Sequence, residues 1–299
     1  MTIPVREGRA GFRGHETWYR VTGDLEGGKP PVVILHGGPG AAHNYTDSFK
    51  LLAERGRAVV HYDQLGCGLS THLPEKGADF WTVQLFLDEL DNLLAHLGIA
   101  GSYHLVGQSW GGMLGSEHAV RQPRGMRSIV IADSPPSMKL WVEEANKLRE
   151  ALPPEIQATL LAHEKAGTTT SPEYMAVMMV FYERHVCRVK PMPDEVTQSF
   201  AQIEADPTVY FTMNGPSEFH VVGTLKDWSI IDRLDRITAP VLLLSGRHDE
   251  ATPAVVRPFK DKIKQARWVI FEHSSHMPHV EETEKCMKVV GDFLDQHDR

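Results

Sequence analysis

The chain has 299 residues, of which 41% are hydrophobic and 23% charged, so it is long enough to bury the core of a soluble globular protein. Its apolar runs all fall short of the roughly 18 residues that cross a bilayer, and residues 1–30 contain no secretory pattern, so we expect no membrane contact and a cytoplasmic location. The net charge of −8, without a basic run, argues against nucleic acid and anionic lipid as partners and favours small or cationic ligands.

Short apolar, β-branched runs alternate with helical patterns along most of the chain. The runs are 32–36, 58–63, 103–106, 128–132, 241–245 and 268–271. Between the second and third runs, apolar residues recur at helical spacing over 86–97, and Gly98 follows where a helix end favours glycine. This alternation predicts an α/β fold with a mostly parallel sheet and helices on both faces.

The alternation stops after Ile131 and resumes only near Pro240. The stretch between them has helical patterns interrupted by prolines at 153–154, 171–172 and 191–193. We therefore interpret 135–232 as an inserted helical cap, and 1–134 together with 233–299 as the α/β core.

The segment 107–111, Gly-Gln-Ser-Trp-Gly, matches the G-x-S-x-G nucleophile elbow of the α/β-hydrolase fold. It follows a predicted strand and precedes a helical stretch, which is the context that the motif requires. Ser109 is the predicted nucleophile, and the flanking glycines have a steric reason because the turn is too sharp for side chains. The alternative is an accidental glycine-rich turn.

A second glycine-rich segment, 36–40, follows the strand 32–35, where this fold supplies one donor to the oxyanion hole. We assign the two donors to the backbone amides of Gly38 and Trp110, the latter at the start of a helix whose dipole favours negative charge. The alternative for the loop is a plain strand-to-loop turn.

The catalytic acid is expected after a late strand, because this fold orders its triad as serine, acid and histidine. Asp249 follows the strand 241–245 and is the predicted acid. The alternative is that Asp249 caps the helix that Pro253 begins.

Three histidines follow the last predicted strand and compete as the catalytic base. They are His273, His276 and His279. His276 lies in a loop, whereas His279 is expected to begin the final helix, so His276 is the predicted base, with Asp249 fixing its tautomer. Their spacing could also suggest a metal site, but no carboxylate motif accompanies it, and we predict no metal.

Four segments of the chain carry a further pattern: 36–40, 62–68, 107–112 and 213–219. Together they resemble the proline iminopeptidases and related aminopeptidases and amino-acid amidases, and 213–219 is similar to the cap motif of the archaeal tricorn-interacting aminopeptidase. The resemblance implies that Glu218 and Glu250 bind the free α-amino group of the substrate. Gln108 departs from the glycine typical of the larger iminopeptidases, which argues against a strict preference for proline. Without the resemblance, both glutamates would be interpreted as solvated surface charges.

The resemblance implies a serine hydrolase that releases an N-terminal proline, or another small to medium apolar residue, from peptides or amino-acid amides through an acyl-enzyme. No cofactor is expected. The alternatives are a carboxylesterase with a neutral acyl pocket and a non-catalytic receptor that uses the hydrolase fold to bind a ligand. Cys67, Cys187 and Cys286 are expected to be structural thiols, although the glycine-flanked loop around Cys67 could leave that thiol accessible. The oligomeric state has no signature in the sequence.

Overall fold

The computed structural model describes residues 2–299, in which eight strands form one sheet. The strands are β1 (Val5–Phe12), β2 (His15–Thr22), β3 (Val32–Leu35), β4 (Val59–Tyr62), β5 (Tyr103–Gln108), β6 (Met126–Ala132), β7 (Val241–Gly246) and β8 (Arg267–Phe271). Their order across the sheet is β1-β2-β4-β3-β5-β6-β7-β8. Pairing is antiparallel from β1 to β4 and parallel from β4 to β8, which confirms the mostly parallel sheet.

β1 and β2 were not among the strands predicted from the sequence. β1 is an edge strand, and most of its residues are exposed or half-buried, so it lacks the continuous apolar run of the central strands. β2 mixes polar and apolar residues without a continuous apolar run, and it pairs with β1 on one side and with β4 on the other. Half-buried antiparallel strands give a weaker sequence signal than strands buried on both faces.

Ten α-helices and two 3₁₀ segments accompany the sheet in residues 2–299. The 3₁₀ segments are His43–Arg55 and Ile231–Arg236. The helices are α1 (Val83–His96), α2 (Trp110–Ala119), α3 (Met138–Glu150), α4 (Pro154–Ala166), α5 (Pro172–His185), α6 (Asp194–Ala205), α7 (Thr208–Met213), α8 (Pro253–Lys262), α9 (Pro278–Glu281) and α10 (Thr283–Asp295). Gly98 lies just beyond α1 with φ of +70°, as expected from the sequence.

Apolar side chains of the central strands alternate between two cores, one on each face of the sheet. In β3, for example, Val33 and Leu35 pack with α1 and α2 residues in one core, while Val32 and Ile34 pack with α10 residues in the other. Both faces are therefore covered by helices, which explains why these strands have near-continuous apolar sequences.

Five helices, α3 to α7, lie between β6 and β7 and form the inserted helical cap. α4 and α5 begin at prolines, and α6 directly follows Pro193, because proline suits the first turn of a helix but not its interior. A third apolar cluster joins cap residues such as Tyr174 and Phe181 to Ala41 and Met277 of the core. The boundaries at 135 and 232 stay a prediction.

The predicted site residues follow the carboxyl ends of neighbouring strands. Gly38 follows β3, Ser109 follows β5, Asp249 follows β7 and His276 follows β8. The carboxyl ends of parallel strands meet at one edge of the sheet, so segments far apart in sequence converge there, facing the cap.

Candidate active site

Ser109 lies at the sharp turn between β5 and α2. Its backbone has φ of +54° and ψ of −121°, a conformation that costs a non-glycine residue about 1–3 kcal/mol. Hydrogen bonds hold the turn in place: the amide of Ser109 donates to the oxygen of Ala132 at 2.9 Å, and its oxygen accepts from Gly112 N and Ser134 Oγ, both at 2.8 Å. These contacts fix the serine at the edge of the sheet.

The two glycines of the elbow have no room for a side chain. A Cβ atom on Gly107 would lie 2.2 Å from the oxygen of Gly111, and one on Gly111 would lie 1.9 Å from the oxygen of Leu35. Both contacts are with backbone, which cannot move aside without distorting the sheet. The structure therefore gives the steric reason that the motif predicted.

His276 and Asp249 are buried and hydrogen-bonded to each other. The distance from His276 Nδ1 to Asp249 Oδ1 is 2.7 Å, and the same oxygen accepts from the amide of Ala251 at 2.8 Å. This arrangement keeps the proton on Nδ1 and leaves Nε2 as the base. Ser109 and His276 line the same cavity, so the structure brings the three predicted triad residues together at one edge of the sheet. Their catalytic roles stay a prediction.

The alternative role of Asp249 as a helix cap has no support in the structure. α8 begins at Pro253, and its N-cap is Thr252, three residues after Asp249. The carboxylate instead engages the imidazole.

The environment of His276 acts on its pKa in two opposite directions. Burial lowers the pKa, but the charge of Asp249 and the hydrogen bond to it, together with the charges of Glu218 and Glu281, outweigh burial and raise the pKa of His276 above its usual value. The imidazolium that forms when the histidine takes a proton is thereby stabilised.

The two residues predicted to supply the oxyanion-hole amides line one small cavity. Gly38, Ser109 and Trp110 all line this cavity. The amide of Gly37 donates to Tyr45 Oη at 2.6 Å, so the next amide, that of Gly38, is the candidate donor of the loop. Gly38 has φ of +109°, and a Cβ there would lie 2.4 Å from the amide nitrogen of Gly40, so only glycine fits.

Glu218 lies in the turn after α7 and is held by three aromatic side chains of the cap. Tyr210 Oη donates to its carboxylate at 2.6 Å, Trp141 Nε1 donates to its backbone oxygen at 2.6 Å, and its amide donates to Tyr182 Oη at 3.3 Å. Burial raises the pKa of Glu218, while the Tyr210 hydrogen bond and the charge of His276 act in the opposite direction. The carboxylate lines both cavities next to Ser109.

Glu250 is completely buried, and within residues 2–299 neither of its carboxylate oxygens has a hydrogen-bond partner. It lines the larger cavity with Ser109 and Glu218, and its Oε1 lies 3.9 Å from His276 Nε2. Burial raises the pKa of Glu250 well above its usual value, and the charges of Glu218 and Asp249 act in the same direction. A buried carboxylate of this kind is costly unless a ligand satisfies it.

Two cavities meet at Ser109. The larger lies between the sheet edge and α6 of the cap, whereas the smaller has a mostly apolar wall. That wall consists of Met113, Pro135, Met138, Trp141 and Leu225. A ligand carbonyl at Ser109 would therefore have the carboxylates on one side and apolar surface on another.

Tyr45 and Gln108 form a polar link that the sequence analysis did not identify. Tyr45 Oη donates to Gln108 Oε1 at 2.6 Å, and Gln108 Nε2 donates to the backbone oxygen of His276 at 2.9 Å. Because Tyr45 Oη also accepts from Gly37 N, this link connects the predicted oxyanion loop, the elbow and the histidine loop. The unusual glutamine at position 108 was the sequence signal for this link, but its partners lie far away in the sequence.

The three candidate histidines have different environments. His279 lies in α9, where its Nε2 is 3.0 Å from the oxygen of Tyr45, and burial lowers its pKa to about 3. His273 is exposed, and only His276 contacts the acid. No cluster of three or more potential metal ligands occurs in the described part of the chain.

Cys67, Cys187 and Cys286 are free and buried. Burial raises the pKa of Cys67 well above its usual value, so its thiol stays protonated and is not the accessible thiol that its loop could have provided. Among residues 2–299, no helix is long and apolar enough to cross a membrane.

Comparison with known proteins identifies relatives that match nearly the whole chain. A family model described as the alpha/beta hydrolase fold matches residues 30–283. A proline iminopeptidase of Clostridium botulinum is 38% identical over 297 residues, covering 99% of this chain and 100% of that protein. The crystal structure of proline iminopeptidase from Mycobacterium smegmatis has 54% identity and a TM-score of 0.91, covering 98% of this chain and 99% of the other. The crystal structure of VinJ has 58% identity and a TM-score of 0.96 at the same coverage.

The fold and the family match define an α/β-hydrolase. Within this class, the full-length relatives show that the chain belongs to the proline iminopeptidase family. The fold, the family and the enzyme class expected from the sequence are confirmed. The carboxylesterase and the non-catalytic receptor are disfavoured.

Proposed function

We propose that this protein is a serine aminopeptidase that releases an N-terminal proline, or another small to medium apolar residue, from peptides or amino-acid amides. Its relatives are named proline iminopeptidases, and the site has the groups that the reaction needs. The division of the chain into a core of 1–134 and 233–299 and a cap of 135–232 is part of this proposal. Its support is a pair of hydrogen bonds between the two chain segments that join the cap to the core. They run from Met138 N to Trp228 O at 3.0 Å and from Ile230 N to Pro136 O at 2.9 Å.

The reaction proceeds in two halves on Ser109. His276 Nε2 takes the hydroxyl proton as Ser109 Oγ attacks the substrate carbonyl, and the amides of Gly38 and Trp110 stabilise the oxyanion. When the intermediate collapses, the proton passes from His276 to the leaving amine and an acyl-enzyme remains. Water then attacks the acyl-enzyme with His276 as base, which releases the amino acid and restores the serine.

The observation that carries the proposal is the pair of carboxylates beside the nucleophile. The triad chemistry needs neither Glu218 nor Glu250, and Glu250 is buried without a hydrogen-bond partner in residues 2–299. An ammonium group of the substrate supplies both the positive charge and the hydrogen-bond donors that these carboxylates lack. An acyl chain without an amino group would leave them uncompensated.

The apolar wall of the smaller cavity supports the preference for an apolar first residue. Trp141, Met138 and Leu225 contribute to this wall, and Glu218 lies at the same cavity. A ring or short aliphatic side chain would gain about 25 cal/mol for each Å² of apolar surface that it buries. An acidic side chain would lose its hydration there and would lie near the carboxylate of Glu218.

Substitution of the two glutamates tests the proposal. We expect Glu218→Gln and Glu250→Gln each to lower kcat/KM for proline anilide by about 10- to 150-fold, the value of one charged hydrogen bond at about 1.5–3 kcal/mol. Steady-state kinetics on proline anilide and on a simple neutral ester measure the effect, and the ester should be cleaved almost normally.

Glu143, an exposed carboxylate on α3, provides the matched control. Glu143→Gln removes one negative charge from the cap surface and should leave kcat/KM unchanged for both the anilide and the ester. If the ester loses as much activity as the anilide in the Glu218 and Glu250 variants, the two carboxylates serve the reaction in general, and the proposed amino-group recognition is wrong.

A further inference from the structure

Asp133 is a buried acid behind the candidate triad with no role in the mechanism above. It directly follows β6, at the same edge of the sheet as Ser109 and Asp249. It is 0% exposed, and its backbone has φ of +51°, in the left-handed region that non-glycine residues seldom adopt. Strain of this kind persists only where the surrounding structure enforces it, and it concentrates at functional sites.

Asp133 and Asp249 follow neighbouring parallel strands, β6 and β7, at the same edge of the sheet. Asp133 Oδ1 accepts from the amide of Gly246 at 3.2 Å. Asp249 Oδ1 accepts from His276 Nδ1 and from Ala251 N. Within residues 2–299, the second oxygen, Oδ2, of each acid has no donor. Two buried acids at neighbouring strand ends, each with one oxygen lacking a donor, can both be satisfied by a single proton between them.

The hydrogen bonds decide which acid holds this proton. Asp249 accepts two hydrogen bonds, one of them from the imidazole, whereas Asp133 accepts one backbone hydrogen bond, so the negative charge is better stabilised on Asp249. The negative charges of Asp249 and Glu281 disfavour a second negative charge on Asp133. Cys286 and Tyr45 are also close enough to be affected by Asp133, but their raised pKa values keep both neutral. Burial, followed by the charge of Asp249, raises the pKa of Asp133 well above its usual value.

We infer that Asp133 is a positioning residue: as a neutral carboxylic acid it donates a hydrogen bond from Oδ2 to Oδ2 of Asp249 and holds that carboxylate against His276. Asp133 itself does not contact the substrate. It acts by fixing the plane of the Asp249 carboxylate and by reducing the negative charge density on that carboxylate. The inference rests on the proposed function in one respect, that Asp249 is the catalytic partner of His276.

Asp133→Asn tests the protonation state because the amide has the same shape and supplies an N–H donor in place of the acid proton. If Asp133 is neutral, one uncharged donor replaces another. We then expect kcat/KM within about three-fold of wild type, and an acid limb of its pH profile that does not move. If Asp133 is ionised, the substitution removes a negative charge near the imidazolium, the pKa of His276 falls and the acid limb moves to lower pH. That shift would overturn the inference.

Infrared difference spectroscopy of wild type against Asp133→Asn gives a readout that does not depend on activity. The inference predicts the loss of one C=O band of a protonated carboxylic acid, sensitive to deuterium exchange. Loss of a carboxylate band instead would overturn it. Because this result needs no substrate, it separates a failure of this inference from a failure of the proposed function.

Asp133→Ala removes the donor altogether. We expect kcat for proline anilide to fall by about 10- to 100-fold with KM within about two-fold, because the residue acts on the chemical step and not on binding. The acid limb should move to higher pH, since Asp249 without its donor stabilises the imidazolium more strongly. A variant that folds with normal kcat would overturn the inference. If the alanine variant does not fold, the Asp133→Asn profile and spectrum decide the question alone.

Discussion

The sheet edge and the cap both contribute to the site, but they are built in different ways. At the sheet edge, short loops after successive strands place Ser109, Asp249 and His276, and backbone hydrogen bonds hold the first two in position. In the cap, the position of Glu218 depends on Tyr210, Trp141 and Tyr182, which come from three different helices. Local backbone geometry therefore fixes the groups proposed for the chemistry, whereas helix packing fixes the group proposed for amino-group recognition.

This difference predicts that substitutions in the two regions affect turnover in different ways. Changes at the sheet edge should abolish turnover of every substrate, because the acyl transfer itself is lost. Changes in the cap should act on substrates with a free amino group and spare others. Glu250 lies between the two regions, since it follows Asp249 in the chain but shares a cavity with Glu218.

The largest effect is expected from Ser109→Ala. Removal of the nucleophile should lower kcat by about 10⁴- to 10⁶-fold for anilide and ester alike, because covalent catalysis is lost. The melting temperature should not fall, since little packing is lost at a residue that lines the cavity. Turnover at the wild-type level would refute the assignment of the nucleophile.

His276→Ala should be nearly as damaging, and the double variant with Ser109→Ala little worse than either, because triad members act as one unit. His273→Ala is the matched control, since His273 lies three residues earlier in the chain and is exposed. Steady-state kinetics of the three variants decide the assignment. If His273→Ala is the inactive one, the base has been assigned wrongly.

A smaller effect tests the electrostatic link between the two regions. The base must be neutral, so activity is lost as pH falls through the pKa of His276, which is raised and places the acid limb above that of an ordinary imidazole. The charge of Glu218 contributes to this rise. In Glu218→Gln the pKa of His276 should fall, and the acid limb for a neutral ester should move to lower pH. An acid limb at the same pH in the variant would show that the cap charge does not act on the base.

The sequence predicted the parts of the site that local patterns determine. The G-x-S-x-G turn requires its glycines for steric reasons, and the order of serine, acid and histidine along the chain left few candidates after the late strands. The central strands were recognised because burial on both faces makes them continuously apolar.

Other features had no local signal. β1 and β2 are partly exposed antiparallel strands, and the link from Tyr45 through Gln108 to His276 joins residues up to 231 positions apart. Asp133 directly follows a predicted strand, but only the fold places it beside the end of β7, the strand that Asp249 follows more than 100 residues later. Glu218 and Glu250 were identified through family resemblance, because a glutamate in a turn looks like any surface charge.

The most direct test of amino-group recognition compares proline anilide with acetyl-proline anilide on the wild-type enzyme. Acetylation removes the ammonium and leaves Glu218 and Glu250 facing an uncharged amide. We expect kcat/KM to fall by at least the 10- to 150-fold estimated for losing one charged hydrogen bond, about 1.5–3 kcal/mol. Cleavage of both anilides at equal rates would contradict the proposed aminopeptidase and leave the carboxylesterase as the better account.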